Sequence, residues 1–296
     1  MHPSTTFCAA MRKRILKPTT FKRRLQLSRP TLVPSPSNTR YPKNDRDSAV
    51  KGLQHRLLRI DLSSDRHSYE ELPDEVLRCS LGGKGLGVHL LMEENPAGID
   101  PFSPDSAFLI AARPITGTKL WSQSRFVLFA KSAATGGYGE SYCGDTLAPK
   151  IKGYGVDAIA ITGACKNLSF LTINESGITL HDAANLEGRD TFRSEDYILS
   201  HAPDNAGAMV IGPAGENLVR FACIKSDRWR SLGRGGMGAV MRAKNLKGIA
   251  FSGSRPCAIA DERCSKTSQK PSPKKDGKRR SRGYIAYWAR LCRWPW

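Results

Sequence analysis

The chain has 296 residues, 40% of them hydrophobic, and a formal net charge of +19. That length covers one large domain or two small ones and is enough for a sizeable core. So high a charge suggests a nucleic-acid partner, but basic residues outnumber acidic ones by 11 over residues 1–56 and by 9 over 265–296, leaving −1 for 57–264. The interior is electrically ordinary, so no nucleic acid is expected there. The ends are expected to be disordered or extraneous, the alternative being contact with an anionic partner.

No run of 18 apolar residues exists, so no transmembrane helix and no membrane association are expected. The first 50 residues lack the apolar core of a secretory signal. They are rich in Arg and Ser with no acid before Asp45, a composition that fits a transit peptide or an unstructured lead. None of the eight cysteines sits at C-x-x-C spacing, so no zinc or iron–sulfur site arises from local spacing. Scattered thiols fit a reducing cytoplasm.

Residues 1–53 read as a basic disordered lead. Order begins at "HRLLRIDLSS", where Leu58, Ile60 and Leu62 alternate with Arg59 and Asp61, a strand pattern. "PDEVLRCSLGG" reads as a short helix, with Pro73 and two acids at its start and Gly82-Gly83 at its end. "GLGVHLLMEENP" reads as a second helix stopped by Pro96. "SAFLIAA" and "SRFVLFAKS" are buried strands. "DAIAITG", "LSFLTINESGITLHDA" and "AGAMVIGPAG" continue the β pattern, with a hairpin at "NESG". "GRDTFRSEDYILSHAP" is an amphipathic helix, "VRFACIKS" a strand, "MGAVMRAKNLKG" a helix and "GIAFSGS" a last strand. Strands and helices do not alternate regularly, which predicts an α+β fold with mixed or antiparallel sheets rather than a doubly wound parallel one. After about Ile259 a polar, basic tract leads to the aromatic end "YIAYWARLCRWPW". Residues 261–296 are expected to be a separate, poorly ordered tail.

The stretch "RSLGRGGMGAVM" matches G-x-G-x-x-G at Gly233, Gly235 and Gly238. A dinucleotide fingerprint needs a strand running directly into the glycines and an acid at the tip of the next strand. Here "KSDRWRSL" intervenes, and "GIAFSGSRP" ends without an acid, so that reading is weak. "LGGKGLG" and "ATGGYGESYCG" are two more glycine-rich stretches. Such loops allow close backbone approach to a phosphate-bearing ligand, and Arg230 and Arg234 could add charge-assisted contacts. They are equally readable as tight turns between strands.

Taken together and in order, "RLLRIDLSS", "LGGKGLGVHLL", "PFSPDSAFLIAARPITGT", "SRFVLFAKSAATGGYGESYCG", "GVDAIAITG", "IGPAGENLVRFACI" and "RSLGRGGMGAVMRAKNLKGIAFSG" resemble the N-terminal domain of aldehyde ferredoxin oxidoreductases. The resemblance covers residues 54–260. It implies two β-rich halves forming a platform for a tungsten (or molybdenum) bis-pterin cofactor. Carried over residue by residue, it implies that Arg125, Tyr142, Gly144, Arg230, Ser231 and Gly233 bind that cofactor, with neither a catalytic side chain nor a metal ligand in this region. It further implies aldehyde oxidation to a carboxylic acid, with electrons leaving through a [4Fe–4S] cluster to ferredoxin.

Three features depart from the pattern. The cluster cysteines that the family carries in two later, helical domains have no counterpart here, so a truncated enzyme without activity of its own is expected, or alternatively an accessory protein that keeps the platform. The tail does not resemble the family. Arg113, Asp145 and Arg242 stand where the family usually has glycine. If those positions require positive φ or close approach, each costs about 1–3 kcal/mol.

Overall fold

Two six-stranded sheets carry the chain, each assembled in the same order. The computed structural model describes residues 50–261 apart from Lys119, Trp121 and Asp145. The basic lead as far as residue 49, the tail from residue 262 and the side chain of Asp145 therefore lie outside the described residues.

In the first half, the hairpin β1 (Arg56–Asp61) and β2 (Arg66–Glu71) is followed by helices α1 (Asp74–Ser80) and α2 (Gly83–Glu94). Three antiparallel strands come next: β3 (Phe108–Ala112), β4 (Phe126–Lys131) and β5 (Tyr138–Cys143). Helix α3 (Leu147–Gly153) returns the chain to β6 (Ala158–Thr162), which inserts between β1 and β3, parallel to β1. The sheet order is β2-β1-β6-β3-β4-β5.

The second half repeats the scheme. The hairpin β7 (Ser169–Asn174) and β8 (Gly177–Asp182) leads to α4 (Thr191–Leu199), β9 (Gly207–Val210) and the single turn α5 (Pro213–Glu216). A short hairpin of β10 (Ile224–Ser226) and β11 (Arg230–Leu232) precedes α6 (Met237–Ala243), which leads to β12 (Leu246–Phe251), parallel to β7. The order β11-β10-β9-β12-β7-β8 is that of the first sheet read from its other end. One parallel pair in each sheet, among antiparallel neighbours, makes the fold α+β in two β-rich halves, as the sequence implies.

The inner faces of the two sheets share one core, in which Phe108, Ile110, Phe126 and Leu128 meet Met209, Ile211 and Phe251. The outer face of the first sheet is covered by α1 and α2, where Leu109, Val127 and Phe129 pack on Leu77, Leu86 and Leu90. The outer face of the second is covered by α4, with Ile198 against Phe170, Ala208 and Val210. Central strands are thus covered on both sides, and β3 is apolar and buried at all five residues. Helix α2 lies so close to the sheet that a Cβ on Gly87 would come 2.1 Å from the Phe129 ring.

The structure corrects several sequence-based elements. "VRFACIKS" is a strand only over its last three residues, because Val219–Ala222 form a turn that leaves Phe221 exposed. The loop expected at 134–144 is a turn followed by β5, whose residues 139, 141 and 143 are buried while 138, 140 and 142 are not. The edge strand β2 is exposed at every residue, so no apolar alternation marks it. Helix α3 contains Pro149 in its first turn, a position that needs no intrahelical N–H partner.

Candidate cofactor-binding site

The glycine run belongs to a hairpin-and-helix unit rather than to a dinucleotide fold. Strand β11 is three antiparallel steps from β12, so the two run in opposite directions, whereas the dinucleotide motif requires parallel strands flanking the glycine-led helix. Gly236, at the start of α6, has φ 70°, and a Cβ there would lie 2.0 Å from the Arg220 carbonyl oxygen. Only glycine fits this entry into the helix.

The edge strands β5 and β11 bring the halves together. The Arg234 amide donates to Ser141 Oγ at 3.2 Å, and Ser132 Oγ donates to the Gly235 carbonyl at 3.0 Å. The tip of the β10–β11 hairpin is held from both sides. Thr146 donates its amide and its hydroxyl to Asp227 Oδ2 at 2.6 and 2.7 Å. The Arg228 amide donates to both carboxylate oxygens of Glu195 on α4, at 3.2 and 3.0 Å. Asp227 and Arg228 have φ of 46° and 57°, a costly conformation for non-glycine residues that these contacts sustain. Burial raises the Glu195 pKa, only partly offset by the Arg228 amide.

These contacts gather the six expected cofactor-binding residues into two neighbouring groups. The first group is Arg125, Tyr142 and Gly144. Phe126 pairs with Ala112 on one side and Cys143 on the other, so the next residues outward, Arg113, Arg125 and Gly144, stand abreast at one end of the sheet. A Cβ on Gly144 would approach the Ser124 carbonyl oxygen to 3.0 Å and Arg125 Cγ to 3.4 Å. Tyr142 is half-buried, and its hydroxyl donates to Glu140 at 3.4 Å. Burial pushes the Glu140 carboxyl up, but hydrogen bonds from Tyr138 at 2.6 Å and Lys84 at 2.9 Å outweigh it and the net shift is downward. Burial raises the Tyr142 pKa, with the Glu140 charge adding to it.

The second group is Arg230, Ser231 and Gly233, all exposed. Lys225 Nζ donates to Ser231 Oγ at 2.8 Å. Nothing lies within 4 Å of where a Cβ of Gly233 would be. Thr146 follows Gly144 by two residues and Asp227 precedes Arg230 by three, so their hydrogen bonds join the two groups. Among the described residues, no carboxylate forms an ion pair with Arg125 or Arg230.

Sequence reasoning gives Thr146 and Asp227 no role and presents Arg113 only as a departure from glycine. Thr146 and Asp227 are 81 residues apart, with no local pattern to connect them. Arg113 becomes visible once the register of "FLIAA" against "FVLFAK" is assigned, because that register sets it opposite Arg125.

Residues 57–253 match the family described as "Aldehyde ferredoxin oxidoreductase, N-terminal domain". The chain belongs to the aldehyde ferredoxin oxidoreductase family. It is 37% identical over 208 residues to the tungsten-containing aldehyde ferredoxin oxidoreductase of Pyrococcus furiosus, covering 70% of this chain and 34% of that protein. It is 36% identical over 208 residues to the Thermococcus kodakarensis enzyme of the same name, covering 70% and 34%. The similarity extends to the WOR-like subunit of an aliphatic sulfonate oxidoreductase from Pyrococcus furiosus, 30% identical over 218 residues, covering 68% and 34%. Among solved structures, the fold matches the active-site complex BamBC of benzoyl coenzyme A reductase in complex with 1,5-dienoyl-CoA. The TM-score is 0.69 at 26% identity, covering 77% of this chain and 37% of that one. The chain thus spans about a third of the length of the curated relatives it matches, and the matched region is this family's N-terminal domain. Among the described residues, no helix is long and apolar enough to cross a membrane.

Proposed function

We infer that residues 54–260 are the cofactor platform of a tungsten oxidoreductase, and that the meeting edges of the two sheets hold the phosphates and pterin of its cofactor. The observation that carries this reading is the joined pair of groups: two exposed guanidinium groups without a described carboxylate partner, beside two glycines, one of them beneath open space. Guanidinium groups suit phosphate oxygens bidentately, and glycine lets a flat heterocycle approach the backbone. The residues present therefore fit a phosphate-bearing pterin. Arg125 and Arg230 would hold its charged end, Tyr142 and Ser231 would offer hydroxyls, and Gly144 and Gly233 would leave it room. The ties from Thr146 to Asp227 and from Glu195 to Arg228 fix the spacing between the groups.

The cofactor, when bound, supplies the two-electron centre at which an aldehyde becomes a carboxylic acid, with ferredoxin as acceptor; tungsten rather than molybdenum is supported by the names of the relatives. This chain's own part is to bind and orient. It has no two cysteines at C-x-x-C spacing, and a cubane cluster needs four thiolates brought together. Among the described residues, Cys79, Cys143, Cys165, Cys223 and Cys257 form no disulfide, which suits a reducing cytoplasm. Alone, the chain is expected to bind no [4Fe–4S] cluster and to oxidise no aldehyde. The test is anaerobic reconstitution with iron and sulfide, electron paramagnetic resonance of the reduced sample, and a dye-linked aldehyde assay. A stoichiometric cluster signal, or turnover by the purified chain, overturns the expected inactivity. Failure of a loaded pterin to co-purify with wild type better than with Arg125→Ala or Arg230→Ala overturns the platform itself.

A further inference from the structure

We propose that Arg113 and Arg125 together form a two-guanidinium subsite for a phosphate-bearing anion at the end of the first sheet, with Arg113 as the second clamp. The proposal rests on the platform reading and adds to it a residue the family pattern does not supply. The sequence resemblance marks Arg113 as a departure from glycine, and so as a liability. The structure gives it a place instead. Arg113 is absent from the positive-φ residues, so its backbone needs no glycine. Its aliphatic stem lies against the start of α2, with Cγ 3.4 Å from where a Cβ of Gly83 would be.

The register then decides what the head group faces. Ala112 pairs with Phe126, so Arg113 and Arg125 are the residues that flank this last pair, one just beyond the end of β3 and one just before the start of β4. Like charges this close repel. Arg113 is half-buried, which removes much of the water that would screen the repulsion. Burial first, and then the charge of Arg125, weaken its hold on its proton, with Tyr142 acting the other way. Among the described residues, no carboxylate forms an ion pair with either arginine, and Glu140, the nearby acid on β5, is already engaged by Lys84 and Tyr138. Two opposed guanidinium groups, one half-buried and one exposed, without a described counter-charge are a site for an anion with several oxygens. Phosphate meets both forks at once.

The test uses the full chain and inorganic pyrophosphate as probe, by isothermal titration calorimetry at low ionic strength with melting temperatures in parallel. Arg113→Met keeps the stem and removes the charge. It is expected to weaken pyrophosphate binding about tenfold or more, as does Arg125→Met, and to raise the melting temperature in anion-free buffer by relieving the repulsion. Wild-type affinity in Arg113→Met with loss in Arg125→Met overturns the role of Arg113 and leaves the platform reading standing. Wild-type affinity in both Arg125→Met and Arg230→Met counts against the platform reading and the subsite together. Asp145 directly follows Gly144 in the chain. If Arg113 served only to pair with it, Arg113→Met and Asp145→Asn would lower the melting temperature alike and leave pyrophosphate binding unchanged; that result also overturns the proposal.

Discussion

Residues 147–163 and 237–253 align without a gap and fold alike. Each is a seven-residue helix, a turn through a positive-φ residue (Gly155 at 98°, Asn245 at 56°) and a strand parallel to the first strand of its own sheet. At one aligned pair of positions both halves bury a charge of opposite sign, Asp157 in the first and Lys247 in the second. Asp157 is paired with Lys152, from the helix just before it, and accepts the amides of Gln54 and His55. Lys247 is paired with Glu216 from α5 and donates to the Arg189 carbonyl. The shared backbone therefore demands a partner at this position but not a particular sign, and each half draws that partner from a different element. The residue aligned with Lys152 is Arg242, whose guanidinium donates to the Glu216 carbonyl at 3.3 Å and to Asn245 Oδ1 at 2.7 Å. Its φ is not positive. The cost expected of it from its departure from glycine is thus not called for; it braces the element that supplies the counter-charge.

The largest expected effect breaks this correspondence on its more buried side. Asp157→Ala leaves Lys152 charged in the core and two amides without an acceptor, and is expected to cost about 4 kcal/mol. Lys247→Met leaves Glu216, which still accepts the Gly188 amide at 2.8 Å, and is expected to cost about half as much. Urea unfolding followed by circular dichroism measures both. Equal losses would mean that the additional donors to Asp157 contribute nothing.

The helix starts form a second aligned pair, Thr146 before α3 and Gly236 before α6. Gly236→Ala brings a methyl group to 2.0 Å from the Arg220 carbonyl oxygen at φ 70°. The overlap and the backbone strain together are expected to cost about 3 kcal/mol. A melting temperature within about a degree of wild type would show that the Arg220 segment yields freely.

Much of the scaffold was legible because strands covered on both faces read as unbroken apolar runs, as in "FLIAA" and "FVLFA". What was missed has physical reasons. Strand β2 buries nothing, the alternation of β5 is masked by Gly139, and Pro149 disguises α3. For the site, the resemblance supplied the expectation of Arg125, Tyr142, Gly144, Arg230, Ser231 and Gly233. The placement of Arg113 near Arg125 follows from a register across strands, and the hydrogen bonds from Thr146 to Asp227 run between halves, where chain order carries no signal.

Lys244 has no ion pair among the described residues. Its ammonium donates to the carbonyls of Pro104 at 3.1 Å and Gly163 at 3.2 Å, and burial lowers its pKa to about 8, with Asp105 and Asp61 opposing. Tyr154 aligns with it in the first half and carries no such charge. Because the folded pKa lies below the ordinary lysine value of 10.5, the unfolded chain binds more protons between about pH 8 and 10.5. This residue's contribution to stability therefore rises with pH across that window, by about 3 kcal/mol in all. Stability curves of wild type and Lys244→Met should converge as pH rises. Parallel curves would show that the ammonium is not desolvated as its contacts suggest.

The smallest effect is expected at Thr146, the counterpart of Gly236, and it separates local capping from coupling between the halves. Thr146 is exposed, and no hydrogen bond from its side chain caps α3. Its hydroxyl instead crosses to Asp227 at 2.7 Å, where it steadies a hairpin tip that already holds two strained residues. Thr146→Ala removes that bond but keeps the amide bond to the same carboxylate at 2.6 Å. A loss of about 1 kcal/mol in global stability is expected. Because the lost contact spans the halves, hydrogen exchange should speed up at Arg228 and Trp229 while the amides of α3 keep their protection. Faster exchange along α3 with an unchanged hairpin would mean that Thr146 acts on its own helix, and that the two halves of the site are set independently.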